Sequence, residues 1–124
     1  MTHPTACSAL YPTLSVPNVE ETCAWYVEAM GFTLRFLWGE PPHHGAVMLD
    51  QACLHFWEGA AQLTTNWTYF DVADLDAIYA RARAGGVTIT KPPERYPWGM
   101  REFNAVDLNG YPIRFGQHVG DEQA

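Results

Sequence analysis

Alternating apolar and polar positions define two similar series of elements along this chain. In the first series, Leu14 and Val16 alternate with polar neighbours and predict a half-buried strand over 10–16, in which Pro12 indicates an edge position or an early break. A helix follows, with Asn18 as its N-cap and Gly31 beyond its last turn. The other elements expected in this series are a strand over 32–38, a Pro- and Gly-rich loop over 39–45, and a hairpin of 46–50 and 52–57 around Gln51.

The second series repeats the order of the first. Alternation over 66–72 predicts a strand, Asp74 is the expected N-cap of a helix, and Gly85-Gly86 ends that helix. The β-branched segment 87–90 is strand-like. The remaining elements expected here are a Pro-rich loop over 91–99 and a hairpin of 102–107 and 111–116 around Asn109-Gly110.

The two series superimpose, which makes the chain an internal repeat. Residues 16–19 fall over 72–75, and 31–33 fall within one residue of 86–88. We therefore predict an α+β fold of two tandem βαβββ repeats, 8–58 and 66–117, within a single domain over 8–118. The repeats are expected to form a curved mixed sheet, a half-barrel around a cleft, with the helices outside. Residues 1–7 and 119–124 are expected to be flexible. An ordinary α+β sandwich is the alternative.

Composition excludes several classes of protein. The chain has 124 residues, 48% of them hydrophobic, which argues against a disordered protein. Seven Lys and Arg against 14 Asp and Glu give a formal net charge of −7, which argues against a nucleic-acid partner. No apolar run is long enough for a membrane span, and no signal peptide is apparent. Three cysteines without a CxxC motif favour reduced thiols and a cytoplasmic location. The aromatic fraction of 14% suggests a site for a flat, apolar or cationic molecule.

Several short motifs, in order along both repeats, resemble the vicinal oxygen chelate superfamily, which includes glyoxalase I, extradiol dioxygenases, fosfomycin-resistance enzymes and bleomycin-resistance proteins. The superfamily's opening pattern resembles three segments of this chain, Leu14-Ser15-Val16, Trp25-Tyr26 and Met30-Gly31-Phe32. Its closing pattern resembles residues 107–111. The stretch 98–103, WGMREF, resembles the bleomycin-resistance branch.

The resemblance implies four positions at which metal-dependent members hold their ligands. One lies on the first strand of each repeat and one on a late strand of each repeat. These positions hold Tyr11, His55, Trp67 and Arg114. Only His55 is an ordinary ligand for a divalent metal, because tryptophan does not coordinate and arginine carries a fixed positive charge. We therefore expect no metal and no other cofactor. His43 and His44 are expected to be solvated loop residues.

Strand alternation separates a core face from a face lining the cleft. The predicted core set is Leu54, Phe56, Phe70, Val72, Ile113 and Phe115. The opposite parity gives a lining set of Tyr11, Cys53, His55, Trp57, Trp67, Tyr69, Asp71 and Arg114. Trp38 and Trp98 are expected to flank the mouth. Arg114 is open to two interpretations, an ion pair with Asp71 or Glu102, which we favour, or a contact with an anionic ligand group.

The leading hypothesis is a metal-free binding protein of the bleomycin-resistance type. It would sequester an aromatic, cationic small molecule, with Tyr11, Trp38, His55, Trp57, Trp67, Tyr69, Trp98 and Arg114 as ligand-binding residues and no catalytic residue. The resemblance implies a homodimer with clefts between subunits, swapped or unswapped. One alternative is a superfamily enzyme, a lyase, isomerase or dioxygenase, with a displaced metal site of His55 and His43, His44, Glu58 or Glu102. The other is a structural or regulatory partner-binding domain, which predicts a flat apolar patch instead of an aromatic cleft and would be favoured by Trp57, Trp67 and Tyr69 buried in a solid core.

Overall fold

The computed structural model describes residues 4–120, and the repeat predicted from the sequence organises them. Each repeat contributes one helix and four strands. In chain order the elements are β1 Thr13–Val16, α1 Val19–Met30, β2 Thr33–Trp38, β3 His44–Leu49, β4 Ala52–Glu58, β5 Thr68–Asp71, α2 Leu75–Ala84, β6 Thr88–Arg95, β7 Met100–Val106 and β8 Pro112–His118.

The strands form two separate four-stranded mixed sheets with the same topology. The first sheet has the order β1-β4-β3-β2 and the second the order β5-β8-β7-β6. In each sheet the first strand of the repeat pairs in parallel with the last, and the other pairs are antiparallel. The predicted α+β fold of two βαβββ units is therefore confirmed, and the open sheets are consistent with a curved half-barrel.

The parallel strand pairs of the two repeats have equivalent registers. Thr13 of β1 lies opposite His55 of β4, and Tyr69 of β5 lies opposite Arg114 of β8. Tyr11 and Trp67 each precede these paired residues by two positions. Equivalent positions of the two repeats therefore occupy equivalent places in their sheets.

The helix ends agree with the predicted caps. The Asn18 side chain accepts a hydrogen bond from the Glu21 N–H at 2.9 Å, and the Asp74 side chain accepts one from the Ala77 N–H at 3.1 Å. Gly31 follows α1 with φ 78°, in the left-handed region where a side chain is disfavoured.

Two predicted loops are wrong, because the strands continue into them. Strand β6 runs to Arg95, through Pro92 and Pro93, where the sequence predicts a loop from Lys91. Proline is tolerated there because β6 is an edge strand and its register with β7 shifts between Lys91 and Glu94. In the first repeat, β3 begins at His44, inside the predicted loop over 39–45. Strand β1 is shorter than predicted, because it begins only after Pro12.

One hydrophobic core joins the two repeats beneath the helices. The rings of Phe32 and Phe70, one from each repeat, meet edge to face with centroids 5.6 Å apart. The helices also approach closely, because a Cβ at Gly85 would collide with the backbone of Ala29. The predicted core residues Leu54, Phe56, Phe70, Ile113 and Phe115 are all buried, and Val72 packs against them.

A buried hydrogen bond connects α1 of the first repeat to the β7–β8 turn of the second. The Tyr26 hydroxyl donates to Asp107 Oδ2 at 2.7 Å. Asp107 also accepts from the backbone N–H groups of Asn109 at 2.8 Å and Tyr111 at 3.0 Å. Burial raises the pKa of Asp107, while these hydrogen bonds oppose that rise. Burial also raises the pKa of Tyr26 well above its usual value, with the negative charge of Asp107 adding to the effect.

The side chains of Asn109 and Tyr111 in the same turn also contact the first repeat. The Asn109 amide donates to Thr22 Oγ1 at 3.0 Å. The Tyr111 hydroxyl donates to the Ser15 carbonyl at 2.6 Å and accepts from the Gln62 N–H at 2.8 Å. The turn therefore contacts α1, β1 and the segment between the repeats.

Other expectations concern the termini, the cysteines and membrane spans. Residues 1–3 and 121–124 lie outside the described residues, and the Val119 N–H donates to the Gly99 carbonyl at 2.8 Å. Flexibility of the termini therefore stays a prediction. The cysteines are unpaired, with Cys7 exposed and Cys23 and Cys53 buried. Within residues 4–120 no helix has the length and apolarity needed to cross a membrane.

We expect Tyr26→Phe to lower the free energy of unfolding by about 1–3 kcal/mol, because it removes one donor from a buried carboxylate. Chemical denaturation measures the change. The matched control is Tyr79→Phe, since the Tyr79 hydroxyl accepts only an exposed hydrogen bond from Arg83. Equal losses in the two variants would contradict the special role of Tyr26.

Candidate ligand-binding site

Each sheet has one face covered by its helix and one open face, and the predicted lining residues lie on the open faces. Tyr11, Trp57, Trp67 and Tyr69 are 43%, 49%, 48% and 42% exposed. Burial of Trp57, Trp67 and Tyr69 in a solid core would have favoured a structural or regulatory domain, and these three rings are not buried. The open face of the first sheet is rich in histidine, and that of the second sheet in charged groups.

The histidine face consists of rings from β2, β3, β4 and the residues beside them. Register places Trp38 opposite His44 and His44 opposite Trp57. His44 lies 4.9 Å from Trp57 and 5.6 Å from His55 between ring centroids. His43 lies between Trp38 at 4.9 Å and Trp57 at 5.7 Å. We define the histidine face as these rings together with Arg35 beside Tyr11: Tyr11, Arg35, Phe36, Trp38, His43, His44, His55 and Trp57.

The expectation that His43 and His44 are solvated is wrong, since both are half-buried among these rings. The physical reason is that β3 starts two residues earlier than the sequence indicates, so His44 enters the sheet beside Trp57. Extending the alternation of β3 backwards from Ala46 would have placed His44 on this face.

His55 lies under Tyr11, with the two rings stacked at 4.6 Å and an interplanar angle of 15°. Its Nε2 atom is buried and has no hydrogen-bond partner among the described residues. Burial lowers the pKa of His55, and the nearby charges of His44 and Arg35 lower it further. The imidazole is therefore neutral at pH 7, and its buried Nε2 is unsatisfied within the described residues.

Arg35 is a residue of this face that the sequence reasoning missed. Its guanidinium lies 5.5 Å from the centroid of the Tyr11 ring and donates from Nη1 to Cys53 Sγ at 3.3 Å. The register of β2 with β3 shifts between Leu34 and Phe36, on either side of Arg35. A bulge of this kind breaks the alternation from which the lining set was read, so no sequence pattern indicated Arg35.

The charged face is built on β5, β7 and β8 of the second sheet. The guanidinium carbon of Arg114 lies 3.6 Å from the centroid of the Trp67 ring. The favoured interpretation of an ion pair with Asp71 or Glu102 is wrong, since neither pair forms among residues 4–120. Stacking uses the flat face of the guanidinium and leaves its N–H edges available. We define the charged face as Trp67, Tyr69, Asp71, Trp98, Glu102 and Arg114.

Tyr69 lies at the centre of the charged face. Its hydroxyl donates to Glu102 Oε2 at 2.7 Å, and the Trp98 indole N–H lies 3.4 Å from the same oxygen. The absence of a side chain at Gly116 makes room for the phenol, because a Cβ there would collide with it. Burial raises the pKa of Tyr69, and the carboxylates of Glu102 and Asp71 raise it further.

An open cavity of about 590 Å³ lies where the start of the first sheet meets the start of β5. Tyr11, Trp67, Tyr69 and Cys53 line it. The cavity brings together only part of the predicted set, because it is not lined by Trp38, His55, Trp57, Trp98 or Arg114. Its lining segments are Ser8–Pro12, Gln51–Leu54 and Trp67–Phe70.

The four positions implied for a metal do not fit one. They form two stacked pairs, Tyr11 on His55 and Arg114 on Trp67. Three of the four side chains are poor ligands, and a guanidinium would repel a cation. Elsewhere in residues 4–120, no three His, Cys, Asp or Glu side chains are grouped as a metal site requires.

Comparison with protein families decides the wider relationship. Residues 8–115 match the model of the Glyoxalase/Bleomycin resistance protein/Dioxygenase superfamily. The chain belongs to this superfamily. A search of curated proteins found no match.

Several solved structures share the fold. TioX from Micromonospora sp. ML1 has a TM-score of 0.79 at 21% identity, covering 91% of this chain and 100% of that one. TnmS3, an antibiotic binding protein from Streptomyces sp. CB03234, has a TM-score of 0.73 at 22% identity, covering 94% and 99%. A mutant of the fosfomycin resistance protein FosX from Listeria monocytogenes, complexed with Mn(II) and a dihydroxypropylphosphonic acid, has a TM-score of 0.69 at 19% identity, covering 95% and 94%. At these identities the likeness concerns the fold alone.

We expect the pKa of His55, followed by NMR of its ring protons, to lie below 6.5, since burial and neighbouring charges disfavour the imidazolium. His44→Gln removes one of those charges and should raise the His55 pKa, whereas His118→Gln on the second sheet should leave it unchanged. Because the folded pKa lies below the unfolded one, the free energy of unfolding should fall as pH decreases through about 6.5. A His55 pKa at or above 6.5 would contradict this assignment.

Proposed function

We propose that this protein is a metal-free small-molecule binding protein of the bleomycin-resistance type, which sequesters an aromatic, cationic ligand without changing it chemically. The observation that carries the proposal is the replacement of the implied metal ligands by two stacked pairs, Tyr11 with His55 and Trp67 with Arg114. Side chains arranged in this way are suited to holding a flat molecule and not to polarising a substrate oxygen.

The exposed rings supply the contact area that such a ligand needs. Trp67 and Tyr69 are nearly half exposed at the wall of a cavity of about 590 Å³, within the range of about 300–1,000 Å³ common for small-molecule sites. Aromatic faces attract planar rings and cations, and a cation over such a ring gains about 0.5–2 kcal/mol.

Charge supports a cationic group on the ligand. The formal net charge of −7 favours the approach of cations at low ionic strength. Glu102 and Asp71 lie beside Tyr69 on the charged face. The similarity in fold to TnmS3, described as an antibiotic binding protein, agrees with a role of this kind.

The proposal includes a homodimer, swapped or unswapped, in which the cleft lies between subunits. Within one chain, the ring contacts of the histidine face and those of the charged face each remain on their own sheet. A second copy would set the histidine face of one subunit opposite the charged face of the other. It would also cover exposed rings such as Trp38 and Trp98, each 62% exposed.

We expect bleomycin to quench the tryptophan fluorescence saturably; if it does not, the planar cations ethidium and acriflavine are the next probes. Calorimetry gives the number of sites and sedimentation the oligomeric state, and together they should show two sites per dimer. Trp67→Leu should weaken binding about tenfold, since it removes a stacking surface worth roughly 1–1.5 kcal/mol. The control Leu108→Ala changes an exposed residue of the β7–β8 turn and should leave binding unchanged. Absence of saturation for all three compounds up to high micromolar concentration would overturn the proposal.

The competing function is a metal-dependent superfamily enzyme with a displaced site around His55. His44 is its nearest partner, with ring centroids 5.6 Å apart, but Glu102 hydrogen-bonds to Tyr69 on the other sheet. We expect elemental analysis after mild purification to find well under one metal ion per chain. Stoichiometric Zn, Ni, Mn or Fe, lost in His55→Gln but retained in His118→Gln, would establish the enzyme instead.

A further inference from the structure

The register of the second sheet arranges the charges of its open face in two rows across the strands. Asp71 of β5 and Glu102 of β7 both lie opposite Gly116 of β8, and the Tyr69 phenol occupies the space over that glycine. Two residues earlier on β8, Arg114 lies between Tyr69 of β5 and Asn104 of β7. An acidic row and a cationic position therefore lie next to each other on one face.

The charges of the two rows do not neutralise each other. Arg114 stacks on Trp67 and forms no ion pair within the described part of the chain, and the same holds for Asp71 and Glu102. On the neighbouring edge strand, by contrast, Lys91 and Glu94 pair with each other at 3.4 Å. Unpaired charges of both signs on one ring-lined face are available to a ligand that carries both signs.

Tyr69 belongs to the row of Arg114, and its hydroxyl reaches Glu102 in the acidic row, so the pKa of Tyr69 responds to both rows. The carboxylates of Glu102 and Asp71 raise its pKa, while the charge of Arg114 lowers it. Tyr69 lines the cavity of about 590 Å³, as does Trp67, on whose ring Arg114 stacks. Asp71, Glu102 and Arg114 do not line the cavity themselves, so a ligand ring at Trp67 and Tyr69 would reach them along the open face of the second sheet.

From this arrangement we infer that the charged face recognises a zwitterionic aromatic molecule. Its cationic group lies at Glu102 and Asp71, and its carboxylate or other planar anion lies at the N–H edges of Arg114. The inference rests on the proposed function and specifies the ligand class for the same site. Two residues along a strand span about 7 Å, which is the separation expected between the two charged groups.

A matched set of three probes tests the inference on the unaltered protein. 4-(Aminomethyl)benzoate carries an ammonium and a carboxylate at opposite ends of one benzene ring, while benzylamine keeps only the cation and 4-methylbenzoate only the anion. We expect the zwitterion to bind at least tenfold more tightly than either analogue. Calorimetry measures the affinities, and NMR shifts of the indole N–H signals of Trp67 and Trp98 locate the site.

Substitutions then assign each charge. Arg114→Met should reduce the affinity for the zwitterion to that for benzylamine, and Glu102→Gln should reduce it to that for 4-methylbenzoate. The control is Arg83→Met, because Arg83 lies over the Tyr79 ring of α2 at 5.6 Å, away from the open face, and should have no effect.

Equal binding of the zwitterion and benzylamine would overturn the inference, as would failure of all three probes to bind at millimolar concentration. If bleomycin or the planar cations still bind in a Trp67-dependent manner, the proposed function stands and only the ligand class is wrong. If they too fail to bind, the proposed function falls with it.

Discussion

The arrangement of the two repeats depends on the buried hydrogen bond between Tyr26 and Asp107. It joins the first helix to the last hairpin, and its two groups are 81 residues apart in the chain. A buried carboxylate is tolerated only when its oxygens are satisfied, and here one phenol and two backbone N–H groups supply the donors. Because Asn109 and Tyr111 of the same turn also bind Thr22 and Ser15, the turn positions the second repeat against the first. The cavity takes its lining from both repeats, so its shape depends on how the repeats are held together.

The repeats share their backbone plan but differ in the chemistry of their open faces. Equivalent registers bring Tyr11 over His55 in one repeat and Trp67 under Arg114 in the other, so a ring is kept at the first position and the partner changes. The first face presents imidazoles and the Arg35 guanidinium, whereas the second presents the Arg114 guanidinium and two carboxylates. A ligand between two such faces would meet carboxylates on one side only, which favours one orientation over its reverse.

The sequence was sufficient for the fold, because repeated caps and alternation recur at matching positions, and Asn18 and Asp74 begin the helices as predicted. It also separated core from open face, since strand parity needs only correct strand limits. It failed where a local irregularity intervened. The β2 bulge at Arg35 and the bulged edge strand β6 with its two prolines break the period on which the reasoning depended. The sequence could not identify the partner of Arg114, because stacking and ion pairing are alternatives that only side-chain geometry decides.

The distribution of tryptophan has a consequence for the optical properties of the protein. Trp38, Trp57, Trp67 and Trp98 are between 48% and 62% exposed on the open faces, and only Trp25 packs against the core, edge to face with Tyr26 at 4.9 Å. In a single chain, indoles already in contact with water would therefore dominate the emission, and its maximum should lie near that of the unfolded chain. Denaturation would shift this emission little. Tryptophan fluorescence would therefore report ligand binding at the open faces but would report unfolding poorly.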